Sequence, residues 1–163
     1  FGARTARDLM AACGRVMLIA PRLKSDAELA VRVARSCGEI AEFVLLNSPS
    51  NARALALAVV ASNHVDHDLY ARAQVAAPFE PWALNLRLAA IGRDPSLAED
   101  AASLAEADFR RALLSRWGRQ AVATLYRDSD PLRPTIARAA EHLPRDEKAA
   151  FLGTLRRTVG GAG

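Results

Sequence analysis

The chain has 163 residues and a net charge of +4; 51% of its residues are hydrophobic and 25% are charged. This composition is that of an ordinary globular protein, and no apolar run reaches the roughly 18 residues that a membrane-spanning helix needs. Residues 1–96 and residues 97–163 each contain 11 basic and 9 acidic side chains. This even distribution argues against a nucleic-acid-binding module, because such modules concentrate their positive charge.

The apolar spacing predicts an all-α fold of about eight helices joined by short turns. The first four helices are expected at about 3–20, 25–46, 50–62 and 67–77. Ser25 and Glu28 form a capping-box pattern at the start of the second helix. Asp66 is a natural N-cap for the fourth helix.

The helical pattern continues through the second half of the chain. Further helices are expected at about 81–92, 96–104, 108–126, 131–142 and from 144 onward, with the break before Asp108 left open. Pro81 suits a first helical turn, because it has no N–H group to leave unpaired, and Trp82 is expected to be largely buried. Four-residue spacing marks one stripe of the 108–126 helix: Phe109, Leu113, Trp117, Ala121 and Leu125.

In three stretches, a helical run ends at a proline and a new apolar run begins within a few residues. The prolines are Pro21, Pro49 and Pro78, with spacings of 28 and 29 residues. A fixed period of this size predicts stacked antiparallel helical hairpins, which form a short right-handed solenoid. We therefore expect one helical-repeat domain over residues 1–159, followed by a flexible tail at 160–163.

Cys13 and Cys37 lie on the apolar stripes of the first two predicted helices. If the hairpin turns near Arg22 and Leu23, the two cysteines are offset by about five residues, or about 7 Å along the helix axis. A disulfide needs its Cα atoms within about 7 Å in total, including the lateral gap between the helices. We therefore expect two buried thiols, with a disulfide as the alternative.

No catalytic pattern is recognisable, so we expect a non-enzymatic protein without a cofactor or a metal. His64 and His67 have a spacing that can ligate zinc, but they straddle a turn and lack a further ligand set. We interpret them as surface residues beside the Asp66 cap. A glycosidase would need two carboxylates that face each other across a cleft. The four carboxylates near one another in this sequence are instead interpreted as a solvated acidic face: Glu99, Asp100, Glu106 and Asp108.

The densest basic run contains Arg110, Arg111, Arg116, Arg119 and Arg127. We interpret it as the solvated side of an amphipathic helix, so that replacing Arg110, Arg116 and Arg119 with Gln should leave stability almost unchanged. The alternative is an anion-binding site for an acidic polysaccharide, a lipid headgroup or nucleic acid.

The middle of the chain resembles the tetratricopeptide repeat. Tyr70, Ala73 and Pro78 have the spacing of that repeat's aromatic, small and closing-proline positions, and Pro49 followed by Leu55, Ala58 and Val59 resembles the junction of two units. The unit is about five residues shorter than the usual 34, and the glycine of the inter-helix turn is absent. The resemblance covers residues 25–92 and implies hairpins whose concave face binds a protein. The residues expected to contact that partner are Asn51, Tyr70, Asn85 and Arg87.

A second resemblance concerns the stretch from Ala77 to Trp82, which reads Ala-Pro-Phe-Glu-Pro-Trp and precedes an arginine- and alanine-rich helical tail with Phe109-Arg110-Arg111 and Trp117. It is similar to small bacterial helical-repeat proteins associated with exopolysaccharide and cell-envelope polysaccharide assembly. The resemblance implies a periplasmic or inner-membrane-associated accessory protein, with a cytoplasmic location as the alternative. Because the chain begins with Phe1, we expect a processed or trimmed piece, with any signal peptide or membrane anchor upstream.

These observations together predict a non-enzymatic protein-binding scaffold. Its expected partner is another protein of an envelope or polysaccharide assembly. The alternative function is an α-helical nucleic-acid-binding or regulatory module that uses the arginine-rich helix, although nucleic acid is the less expected partner.

Overall fold

The structure, a computed structural model, describes residues 3–19, 27–62, 64 and 66–160. The described residues are 86% helical, form ten α-helices and contain no strand. The predicted all-α class is therefore confirmed. By Cα proximity the chain divides into two compact units, residues 1–90 and residues 91–163.

The first unit is built around a central helix that is apolar apart from Arg53 near its start. Its helices are α1 (Ala3–Ile19), α2 (Ala27–Asn47), α3 (Ala52–Ala61), α4 (His67–Ala76) and the larger part of α5 (Pro81–Arg93). In α3 the residues from Ala54 to Val60 are all buried, because α3 packs against α1, α2 and α4. A helical segment that is apolar all round, as residues 54–60 are, is expected to be enclosed in this way.

Several predicted helix starts are confirmed in this unit. The side chain of Asp66 accepts a hydrogen bond from the backbone N–H of Asp68 at 3.1 Å, so Asp66 is the N-cap of α4. Pro81 is the first residue of α5. The proposed capping box of α2 lies outside the described residues at Ser25.

The second unit contains five further helices and one 3₁₀ turn. They are α6 (Leu97–Asp100), α7 (Ala102–Leu113), α8 (Arg116–Asp128), the 3₁₀ turn Asp130–Leu132, α9 (Arg133–Glu141) and α10 (Arg145–Gly160). Helix α7 packs against α8 and α9, and α8 packs against α10. The core of this unit includes five side chains with no exposed surface: Phe109, Leu113, Val122, Leu132 and Ile136.

The stripe from Phe109 to Leu125 does not form one helix, and the prediction of a continuous helix at 108–126 is wrong. Helix α7 ends at Leu113, and Ser115 begins α8 by accepting a hydrogen bond from the Gly118 N–H at 3.1 Å. Gly118 lies against the preceding helix end, since a Cβ there would lie 2.6 Å from the Ala112 carbonyl carbon. The other break falls at Ala101 rather than just before Asp108.

Some sequence-based expectations about the fold stay predictions. One domain over residues 1–159 is one of them, and the hairpin stacking is another. In the predicted tail, Gly160 is the last residue of α10, and residues 161–163 lie outside the described part of the chain. Among the described helices, none combines the length and the apolar character needed to cross a membrane.

Candidate functional site

A disulfide joins Cys13 of α1 to Cys37 of α2, with 5.6 Å between their Cα atoms. The expectation of two buried thiols is therefore wrong, although both residues are buried. Helices α1 and α2 pack against each other, and a count of residues from an assumed turn does not fix the shift of one packed helix along the other. The count therefore did not locate the two side chains.

Three adjoining cavities follow α1, and we call them together the α1 groove. The cavity between α1 and α2 has a volume of about 360 Å³, and the two that continue past Met10 towards α3 and α5 have volumes of about 550 Å³ and 250 Å³. The apolar side chains of the groove are Ala6, Leu9, Met10, Ala11, Leu18, Ile40, Phe43, Val44, Trp82 and Leu86.

The two cavities of the α1 groove that meet at Met10 are lined by positively charged side chains. Arg7, Arg15 and Arg53 line them, and no Asp or Glu is among the described residues that do so. Arg7 and Arg15 are exposed. The guanidinium carbon of Arg53 lies 5.0 Å from the ring centroid of Trp82, a distance at which the cation is attracted to the ring face.

Two large apolar side chains of the α1 groove keep part of their surface in solvent. Phe43 is 51% exposed. Trp82 keeps only a minor part of its surface in solvent, which agrees with the expectation of a largely buried side chain. Trp82 lies in the first turn of α5, and the Arg53 guanidinium borders its ring.

The four residues predicted to contact a partner protein differ in their accessibility. Asn51 lines the α1 groove and is the N-cap of α3, since its Oδ1 accepts a hydrogen bond from the Ala54 N–H at 3.0 Å. Asn85 is partly exposed on α5. Tyr70 and Arg87 have no exposed surface, so neither can touch a partner in this conformation.

The residues of the arginine run do not share one solvated face. Arg111 forms an ion pair at 3.0 Å with Asp108, whose side chain has no exposed surface. Arg119 pairs with Glu147 of α10 and also donates to the Leu113 carbonyl oxygen at 3.2 Å. Arg110 and Arg116 are exposed. The burial of Asp108 also shows that the predicted solvated acidic face is wrong at this position.

The last arginine of the run is paired within its own helix. The side chain of Arg127 donates to the carboxylate of Asp128 at 2.6 Å and 3.0 Å. This hydrogen bonding, together with the negative charge of Asp128, raises the pKa of Arg127 above its ordinary value. Of the five arginines in the run, Arg110 and Arg116 are therefore the two with no ion-pair partner among the described residues.

In the second unit, Arg116 borders a different concave site, which we call the basic cleft. It lies between α8 and α10, has a volume of about 530 Å³ and is lined by Arg116, Trp117, Gln120, Thr154 and Arg157. Of these, only Arg116 was predicted from the sequence as an anion-binding residue. The others could not be found in this way, because the pairing of α8 with α10 is a tertiary contact without a local sequence signal.

The two histidines near the Asp66 cap are exposed. His67 Nδ1 lies 3.7 Å from Asp68 Oδ1. Within the part of the chain that the structure describes, no group of three or more His, Cys, Asp or Glu side chains is arranged to hold a metal ion.

Fold and sites together define an all-α protein with a disulfide-linked helix pair, an apolar groove bordered by arginines and a separate basic cleft. In comparisons with known proteins, no family model, no curated protein and no solved structure matches this chain.

Proposed function

We propose that this protein is a non-enzymatic protein-binding scaffold whose α1 groove takes an acidic, apolar segment of a partner protein. The observation that carries the proposal is the combination of apolar lining side chains with three arginines, Arg7, Arg15 and Arg53, and with no carboxylate among the described residues that line the two cavities meeting at Met10.

The apolar side chains that line the α1 groove supply the driving force for binding. Phe43 keeps about half of its surface in solvent in the free protein. Removing that surface from water on binding is favourable in proportion to the apolar area covered. An amphipathic segment laid into an apolar groove is a common way for a helical protein to hold a partner.

The arginines select the sign of the partner's charge. Asp or Glu side chains on the partner segment would pair with Arg7 and Arg15, whereas Lys or Arg would be repelled. Glu39 lies at the other end of the groove between α1 and α2, where it is already paired with Arg35 at 3.2 Å. A segment with its acidic residues towards Met10 therefore matches the charges of the groove.

The disulfide between Cys13 and Cys37 supports a location in an oxidising compartment, since such bonds persist there and are rare in the cytosol. With the resemblance to small bacterial repeat proteins, this points to a periplasmic or inner-membrane-associated accessory protein of envelope or exopolysaccharide assembly. A short tetratricopeptide-like solenoid belongs to the same proposal. It is supported by the packing of α1 on α2, α2 on α3 and α3 on α4, which successive hairpins would produce.

The proposal is tested by selecting binders from a random peptide library displayed on phage, at physiological salt. We expect the enriched peptides to combine apolar side chains with Asp or Glu. The Phe43→Asp variant should bind a selected peptide at least about tenfold more weakly than the parent protein does, which corresponds to about 1.4 kcal/mol of binding free energy. The matched control is Leu46→Asp, because Leu46 is also on α2, is 82% exposed and is not among the lining residues of the α1 groove.

The charge preference has its own control. The double variant Arg7→Glu, Arg15→Glu should weaken the binding of the acidic peptides. Arg32→Glu, on the exposed surface of α2, should leave that binding unchanged. Enrichment of basic peptides, or equal losses for Phe43→Asp and Leu46→Asp, would show that the α1 groove is not the binding site. The alternative function, a nucleic-acid-binding module on the arginine run, is disfavoured because Arg111 and Arg119 are already paired with carboxylates.

A further inference from the structure

The basic cleft of the second unit presents cations, an aromatic ring and amide and hydroxyl groups together. We propose that it binds an acidic saccharide, that is, a chain of pyranose rings that carry carboxylates. This inference goes beyond the proposed protein-binding function, since the cleft belongs to α8 and α10 and the α1 groove to the first unit. Failure of either proposal would leave the other standing.

The charge of the basic cleft favours an anionic ligand. Arg116 and Arg157 are both exposed, and none of the residues lining the cleft is acidic. Arg157 donates to Thr154 Oγ1 at 3.3 Å, which leaves most of its five N–H donors available. A guanidinium matches a carboxylate or a phosphate through two parallel hydrogen bonds, so charge alone admits both kinds of anion.

Trp117 adds a preference for a ligand with an apolar face. It is partly exposed and lies in the chain directly after Arg116, in the first turn of α8. An indole offers a flat apolar surface with one polar N–H group at its edge. The C–H face of a pyranose ring can pack on such a surface, which a free inorganic anion cannot do.

Gln120 distinguishes a saccharide from a bare phosphodiester chain. Its Nε2 donates to Thr158 Oγ1 at 3.3 Å, which leaves the carboxamide oxygen Oε1 as an acceptor. Saccharide hydroxyls can donate to this oxygen, whereas a phosphodiester group has only acceptors. The cleft thus combines donors for a carboxylate, an acceptor for a hydroxyl and an aromatic surface for a sugar ring.

The chain contains two tryptophans, so a Trp82→Phe background makes Trp117 the only indole reporter. We would titrate this protein with oligogalacturonate at physiological salt and record its fluorescence. Parallel titrations would use a neutral malto-oligosaccharide, inorganic phosphate and a single-stranded DNA oligonucleotide of equal charge. We expect a saturable change with oligogalacturonate, no change with the neutral sugar or phosphate, and weaker binding of the oligonucleotide.

Neighbouring arginines of α10 provide a matched pair of variants. Arg157→Gln should lower the affinity for oligogalacturonate by about tenfold or more, as expected for the loss of a hydrogen-bonded charge. Arg157→Lys should have an intermediate effect, because it keeps the charge but loses the planar fork. Arg156→Gln should bind as the parent does, since Arg156 is exposed and is not among the lining residues of the cleft.

Melting curves of each variant would separate lost binding from lost folding. Equal losses for Arg156→Gln and Arg157→Gln would show non-specific attraction of a polyanion and overturn the proposal. Tighter binding of the oligonucleotide than of oligogalacturonate would overturn it in favour of a nucleic-acid site. The absence of saturable binding by a folded protein would overturn it as well.

Discussion

The buried guanidinium of Arg87 in α5 donates a hydrogen bond from Nη1 to the carbonyl oxygen of Ala77, at 3.1 Å. Ala77 is the C-cap of α4, and the same nitrogen lies 3.4 Å from the carbonyl oxygen of Ala73. Carbonyl groups at a helix end have no partner within the helix and carry partial negative charge. Arg87 therefore links α5 to the end of α4 by hydrogen bonding. This role explains why a long cationic side chain lies inside the first unit.

Replacing Arg87 with Met should destabilise the protein by about 2–4 kcal/mol, because it leaves buried carbonyl groups without their charged donor. Urea denaturation monitored by circular dichroism would measure this loss. Arg72→Met is the control, since Arg72 also donates to a backbone carbonyl, that of Pro49 at 2.9 Å, but from an exposed position. It should cost less than about 1 kcal/mol, because water can replace the lost hydrogen bond. Equal costs for the two variants would contradict this role of Arg87.

Reducing the disulfide between Cys13 and Cys37 should lower the free energy of unfolding by about 3 kcal/mol, as expected for a cross-link that closes a loop of this size. The residues are 24 positions apart in the chain. Urea denaturation with and without reductant would measure the difference, and a Cys13→Ala, Cys37→Ala double variant should be insensitive to reductant. Alkylation of free thiols in the denatured, unreduced protein would show that the bond is absent.

Two glycine-to-alanine substitutions should have opposite effects on stability. Gly118→Ala should cost at least about 2 kcal/mol, because the added Cβ would meet the backbone of Ala112 and force the junction of α7 and α8 apart. Gly38→Ala in the middle of α2 should stabilise by about 0.5–1 kcal/mol, since its Cβ would lie at an ordinary 3.5 Å from the Ala61 Cβ. Melting temperatures would show both effects. A tolerated Gly118→Ala would contradict the close helix junction.

Arginines of the basic run should differ in their contribution to stability, contrary to the expectation from sequence. Arg119→Gln should cost about 1–2 kcal/mol, mainly through the lost hydrogen bond to the Leu113 carbonyl, because the paired Glu147 is partly exposed and screened by solvent. Arg110→Gln, on the exposed surface of α7, should change stability by less than about 0.5 kcal/mol. Chemical denaturation of the two variants would test this, and indistinguishable midpoints would refute it.

Local signals in the sequence predicted individual helices well. The helical spacing of apolar residues gave most helices to within about two residues, and Asp66 and Pro81 marked the starts of α4 and α5 correctly. Capping and proline effects act over one turn, so the sequence around them is sufficient. Ser115 is a capping residue of the same kind, but the apolar residues continue at four-residue spacing on both sides of it. This unbroken spacing indicated one helix where the structure has two.

Contacts between distant residues could not be predicted in the same way. The assignment of Arg87 and Tyr70 to a partner-binding surface took no account of burial, which depends on which helices enclose α4 and α5. Trp82 is largely buried as expected, but nothing in the sequence indicated that the Arg53 guanidinium lies against its ring. An amphipathic pattern shows that a helix has an apolar face, but it does not show whether another helix covers every residue of that face.

The all-α class and most of the helix boundaries can be read from the amino acids alone, because these depend on apolar periodicity, caps and prolines within a few residues. The packing of the helices was needed to show which arginines are paired and which remain exposed, that Cys13 meets Cys37, and that α8 and α10 enclose the basic cleft. Ion pairs, disulfides and clefts depend on distances between side chains far apart in the chain. These distances are set by the packing of the helices and leave no periodic signal in either partner.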